Sequence, residues 1–249
     1  MKHPMLRKAF AMPFAFALAS ICSILPVSPI ALAAAVTGDP LNIGANNSIS
    51  GGSASAVIGD TNQLIDASGS TVIGSANSLS SSSYILMVGD QNMSNLAMSG
   101  AAIGEMNYLY DYFNVAFGAY NSVAGWVNSA FGDSNHISND DANVTAESSV
   151  FTGMYNHGNN LIACLVGGSN NQLDYATNSA AIGEGLILGP GTQAQVVVGQ
   201  YNAPDANARF VVATGTDAYN PKNAFTVFAN GDVIIKKRQG DILMGEFGN

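Results

Sequence analysis

The sequence is poor in basic charge. Of 249 residues only eight are Lys or Arg, and none falls between residues 36 and 208. That gap leaves no phosphate loop and no surface suited to nucleic acid or anionic lipid. Cysteine is nearly absent too: Cys22 and Cys164 are the only two. Charged residues make up 10% of the chain and the three histidines lie far apart in sequence. No Ser/His/Asp set and no cofactor motif stands in what remains, so neither an enzyme nor a bound cofactor is expected.

The long apolar run stands at the start. Lys2, Arg7 and Lys8 precede Ala9 to Leu25, then come Pro26, Pro29 and the small-residue site Ala31-Leu32-Ala33. This reads as a secretory signal peptide over residues 1–33, with no stable membrane insertion after its cleavage. Ile21 before Cys22 does not suit a lipoprotein cysteine. All 17 acidic residues follow the leader while three of the eight basic ones lie within it, so five stand against seventeen and the remainder carries a net charge of −12. Only Cys164 is left, between Ile162-Ala163 and Leu165-Val166, which makes it a small buried residue and excludes an intrachain disulfide.

What the chain does have is a repeat. Glycines recur at 44, 59, 74, 89, 104, 118, 132, 153, 168, 183 and 199, with spacings of 15, 15, 15, 15, 14, 14, 21, 15, 15 and 16. Three residues after each comes Asn (47, 62, 77, 92, 107, 121, 135, 156, 171 and 202), and only Leu186 breaks that column. The residue before Gly is apolar in nine of eleven units, as in Ile58, Ile73 and Phe131; Phe151 and Val166 stand one position earlier in the other two. The fifth residue after Gly is apolar in eight, as in Leu64, Leu79 and Leu109. A period this short cannot hold two helices or a propeller blade. It predicts an all-β parallel β-solenoid, a β-roll of about eleven narrow, two-sided coils of two short strands each. Gly is expected where the chain turns sharply. The Asn column is expected as a structural ladder of stacked amides.

The β-roll is expected over residues 34–205, followed by a C-terminal β-hairpin cap module over 206–249. Arg209–Val212 and Asn223–Phe228 read as strands, and Asn230-Gly231 as a hairpin turn into Val233–Ile235. Such a segment shields the last coil of a solenoid.

The units Ala101-Ala102-Ile103-Gly104, Ser129-Ala130-Phe131-Gly132 and Ala180-Ala181-Ile182-Gly183 resemble the head repeats of trimeric autotransporter adhesins, the YadA-like heads. The resemblance covers roughly residues 41 to 203. It implies a left-handed parallel β-roll, three copies packed as a homotrimer, and adhesion at a bacterial surface. That family continues into a coiled-coil stalk and a membrane barrel; no heptads follow Asn202 here, and 47 residues are too few for both. Trimerisation also has a physical rationale, since a thin roll leaves an apolar face to cover.

Some positions invite a functional reading. Eight residues after Gly, Tyr112 and Trp126 fall on adjacent coils, suited to stacking a sugar ring or packing on a sister subunit. His136 and His157 share a column as well, but two ligands without a third are not a metal site. Asp60, Asp90, Glu105, Asp133 and Glu184 each follow their Gly and read as solvated carboxylates. The long spacing from Gly132 to Gly153 holds the polar stretch Ser138 to Asn143, and its Asn139, Asp140, Asp141 and Asn143 are candidates for a recognition loop.

The sequence thus reads as a secreted, non-enzymatic, adhesin-like surface or extracellular-matrix structural protein. Its partners would be copies of itself and a host or matrix protein or glycan. A carbohydrate-binding or ice-binding solenoid is the alternative, although Thr is scattered rather than ranked as ice binding wants. A glycan-active enzyme is the remoter one, because solenoid polysaccharide lyases carry Arg or Lys in their cleft.

Overall fold

The computed structural model describes residues 40–139 and 146–236, in which no helix occurs. The expected leader and residues 237–249 lie outside that range. The chain forms a parallel β-solenoid of about eleven turns over residues 41–214. A long sheet collects one strand per coil from Leu41–Ile43 to Val196–Gln200 and adds Ala208–Thr214 in parallel. A short sheet collects the second strand of each coil, from Ser48–Ser50 to Ile187–Leu188. Between them runs a third column of single-residue parallel bridges, Ser53–Ser68–Ser83–Met98 and then Tyr112–Trp126–Glu147–Ile162–Thr177–Gln193. The coil therefore has a narrow third side beyond the two expected.

The core sits between the two sheets. From the long sheet it takes the residue two before Gly: Val57, Val72, Met87, Ala102, Phe151 and Val166 are each fully buried. The expectation for the residue directly before Gly is corrected here. Ile58, Ile73 and Val88 point outward, and Phe131 and Ile182 are 41% and 47% exposed. Strand geometry requires this, because adjacent side chains take opposite faces. The short sheet supplies the residue five after Gly, as in Leu64, Leu79, Leu109 and Leu173. Where one column brings a large side chain, the other brings a small one: Met87 faces the coil of Ser94, and Phe151 that of Gly158.

The glycine column also has a different cause from the turn expected. Gly59 lies inside the strand Ala56–Asp60, with φ at +129°. A β-carbon there would overlap the carbonyl oxygen of Gly74 and lie 2.8 Å from its carbonyl carbon. Close stacking of coil on coil, in a backbone shape that L side chains resist, excludes every larger residue. The corner itself comes two residues after Gly. Asn46, Thr61, Ala76, Gln91, Met106 and Tyr120 occupy it with φ from +51° to +59°. Inter-coil bonds such as Thr61 N to Ala45 O and Ala76 N to Asp60 O hold these left-handed residues in place.

After Ala208–Thr214 the sheet turns antiparallel. Asn223–Phe228 pairs with that strand, and Val233–Ile235 pairs with Asn223–Phe228 across the Asn230-Gly231 turn.

Candidate functional site

The asparagines form a buried ladder. Asn62 Nδ2 donates to Asn47 Oδ1 at 3.0 Å and to Gly74 O at 2.8 Å, and Asn62 N donates to the same Asn47 Oδ1. Asn77, Asn92 and Asn107 repeat this pattern, and it continues through Asn121, Asn135, Asn156 and Asn171. At the N-terminal end the Asn47 amide bonds Asn42 Oδ1. At the other end Asn171 Oδ1 accepts from Leu186 N. Asn202 stands outside the ladder, since its amide exchanges two bonds with the backbone of Ile187.

A second internal column follows the third side. Ser70 N donates to Ser55 Oγ, Asn128 N to Asn114 Oδ1, Cys164 N to Ser149 Oγ and Gln195 N to Ser179 Oγ. Sequence reasoning passed over it, although Asn114 and Asn128 lie fourteen residues apart and Ser55, Ser70, Ser149 and Ser179 recur in step. Cys164 stands in this column, buried, with its thiol donating to Ala176 O. Burial pushes the thiol pKa up, partly offset by backbone hydrogen bonds.

Tyr112 and Trp126 come together on the third side. Their rings lie 5.5 Å apart at 69°, edge to face, and are 38% and 49% exposed. Met98 precedes them in the same column, and Phe113 and Val127 occupy the adjoining left-handed corner, so the exposed patch is apolar. The edge-to-face angle leaves no coplanar two-ring platform.

His136 and His157 pair in the short sheet with rings stacked 5.0 Å apart. Asp90 and Glu105 are register neighbours on the long sheet, and Asp90 accepts from Ser75 Oγ at 2.7 Å. Among the described residues no group of three or more His, Cys, Asp or Glu side chains is placed to hold a metal ion.

The insertion leaves the coil at the corner after the short-sheet strand His136–Ser138. Ser138 is not loop: it pairs with Asn159 and is buried. Ala146 is fully buried too, and Glu147 resumes the bridge column next to Trp126. Seven residues, 139–145, thus separate Ser138 from Ala146, where the next coil has Asn160 alone between Asn159 and Leu161. Asn139 is half-buried; Asp140, Asp141 and Asn143 lie outside the described residues.

The outer face of the long sheet carries two uncharged columns, bordered by the carboxylates that follow Gly. It presents the residue before Gly and the residue three before it, and no position of either column on the parallel strands is charged. On some strands the sizes offset each other, as in Phe131 beside Ser129, Ile182 beside Ala180 and Gly167 beside Leu165, whereas Val115 with Phe117 and Phe210 with Val212 are both large. A shallow groove of about 410 Å³ borders this face along Val150, Leu165 and Val196, with Ser148 and Ala163 at its rim. No family model, no curated protein and no solved structure matches this chain.

Proposed function

We propose that this protein is a secreted, non-enzymatic, adhesin-like component of a bacterial surface or extracellular matrix, in which copies associate through the long sheet and the inserted stretch 139–145 meets the ligand. Three copies is the number expected from the likeness of the repeat to YadA-like heads. Two uncharged columns of the long sheet, the residue before Gly and the residue three before it, carry the reading; the carboxylates Asp60, Asp90, Glu105, Asp133 and Glu184 stand beside them at the strand ends. The columns cross twelve parallel strands, roughly 50 Å at ordinary strand spacing, and a contiguous uncharged strip of that kind marks an interface.

Native mass spectrometry of the mature chain tests the assembly. A mass that is a multiple of three chains is expected, together with a Tm that falls on dilution because folding and association are linked. Phe131→Glu should divide that mass by three. A monomer mass with a Tm unchanged over a hundred-fold dilution would remove the reading. Trp126, the only tryptophan, reports on its patch in the same samples: blue-shifted emission on association means a sister subunit covers it.

A carbohydrate-binding solenoid is the second reading, and the exposed Tyr112–Trp126 pair favours it. Because the rings meet edge to face, a sugar would stack on one of them alone. Binding on a glycan array that Trp126→Ala abolishes and loop replacement spares would select this reading.

A further inference from the structure

Among the described residues, the long sheet ends on an edge without a second partner strand. Val233–Ile235 is its last strand among the described residues, bonded on one side only, to Asn223–Phe228. All three side chains are exposed. The strand has neither the proline nor the inward charge that usually blunts an edge. Asp232 O accepts from Phe228 N, and Lys236 N donates to Ala224 O, so both residues turn their backbone groups into the sheet. Ile234 shares that direction by alternation, which leaves the N–H and C=O of Val233 and Ile235 pointing outward.

We propose that this edge pairs antiparallel with the same edge of a second copy, about a two-fold axis at Ile234. In that register Val233 of one copy meets Ile235 of the other, and the two exchange both N–H···O bonds. Symmetry doubles these to four, using the groups that point outward. Ile234 meets its counterpart, and Asp232 meets Lys236 of the second copy, twice. Asp232, Ile234 and Lys236 share one face by the two-residue period, so the charges meet on the same side. The Asp232 carboxylate takes one bond from Asn230 Nδ2 through Oδ2 and keeps Oδ1 for the lysine. Other registers fail. A one-residue slip sets outward groups against inward ones, and a two-residue slip sets Asp232 or Lys236 against Ile234. The result is a tail-to-tail pair of rods, with one sheet running through both.

The test uses the mature full-length chain with Cys164→Ser, which leaves no other thiol. Non-hydrogen-bonded antiparallel partners stand about 4.5 Å apart at Cα, within disulfide range. Ile234→Cys should therefore cross-link two chains under mild oxidation, and Val233→Cys, whose partner is residue 235, should not. Asp232→Lys should halve the native mass, and Asp232→Lys with Lys236→Asp should restore it. A reduced Ile234→Cys, equal cross-linking at 233 and 234, or a mass indifferent to Asp232→Lys would each overturn the pairing. Loss of the edge halves the particle, whereas loss of the long-sheet contact divides it by the number of rolls around that face, so the two associations fail distinguishably.

Discussion

Gly158 makes the space that the Phe151 ring occupies. A β-carbon on Gly158 would run into that ring and stand 2.5 Å from Leu161 Cδ1. Among the described residues Phe151 is the largest fully buried side chain, in a column whose other buried members are Val, Ala and Met. The two substitutions from the ordinary pattern, Val to Phe and Leu to Gly, offset each other within one coil.

The pair should therefore be strongly coupled. Phe151→Val alone opens a cavity and should cost on the order of 2 kcal/mol or more. Gly158→Leu alone overfills the coil and should cost about 1–3 kcal/mol. Together they restore the Val-and-Leu pairing of Val166 and Leu173. The double variant should then be more stable than the sum of the single changes by about 0.5–3 kcal/mol. Additive losses in denaturant unfolding would show that the two side chains do not share one space.

Asn77→Ala removes a rung from the middle of the ladder. The Asn92 N–H and Nδ2 lose their shared acceptor, and Gly89 O loses its donor. A buried donor without a partner costs about 1–3 kcal/mol, so the Tm should drop by several degrees while secretion continues. Asn202→Ala stands outside the ladder and should unlatch only the strand at Ile187, which amide exchange at Ile187 and Leu188 would show.

Cys164 gives the rod an alkaline weakness. Burial raises its pKa above the unfolded value, so the native state keeps a proton that the unfolded chain gives up. The stabilisation is complete below the unfolded pKa and is lost as pH rises through the folded one. Unfolding free energy should decline above about pH 9, and Cys164→Ser, matching Ser149 and Ser179 in its column, should flatten that decline. A decline that persists in the serine variant would assign it to another group. Thiol reagents should label the native protein only as fast as the coil opens.

The inserted stretch can be replaced while the buried coil residues on either side are kept. Replacing residues 139–145 with a single Asn, as at Asn160, shortens the 21-residue spacing by six to the usual 15. Ser138 and Ala146 must stay, because both are buried in the coil. The variant should melt at the native temperature and lose binding to whichever surface or glycan the native protein holds. Undiminished binding would pass the recognition role to the Tyr112–Trp126 patch.

The period, the asparagine column, the inward row of Leu64, Leu79 and Leu109, and the antiparallel end were all legible in the sequence, because each rests on spacing or turn chemistry. Which of Val57 and Ile58 faces the core was not. A strand with apolar residues on both faces, such as Val72-Ile73 or Met87-Val88, has no alternation to read. The role of Gly59 was hidden for another reason: it depends on the backbone of a coil fifteen residues away. The true corners were masked by residues as ill suited to a left-handed backbone as Thr61 and Val127. Of the candidate site, the juxtaposition of Tyr112 with Trp126 followed from register, while their edge-to-face tilt depends on packing that no column encodes.

The asparagine ladder also has a direction. Each side-chain oxygen from Asn47 to Asn156 takes two donors from the coil that follows, so a ladder broken off at any of these rungs would end in an open acceptor, a template for one more coil. The intact ladder is closed at both ends: the Asn42 amide meets Asn47 at the start, and the Leu186 N–H takes the last oxygen with a side chain that cannot pass the pattern on. Leu186, the single fault in the column, ends the ladder, while the long sheet runs on through Val196–Gln200 and Ala208–Thr214.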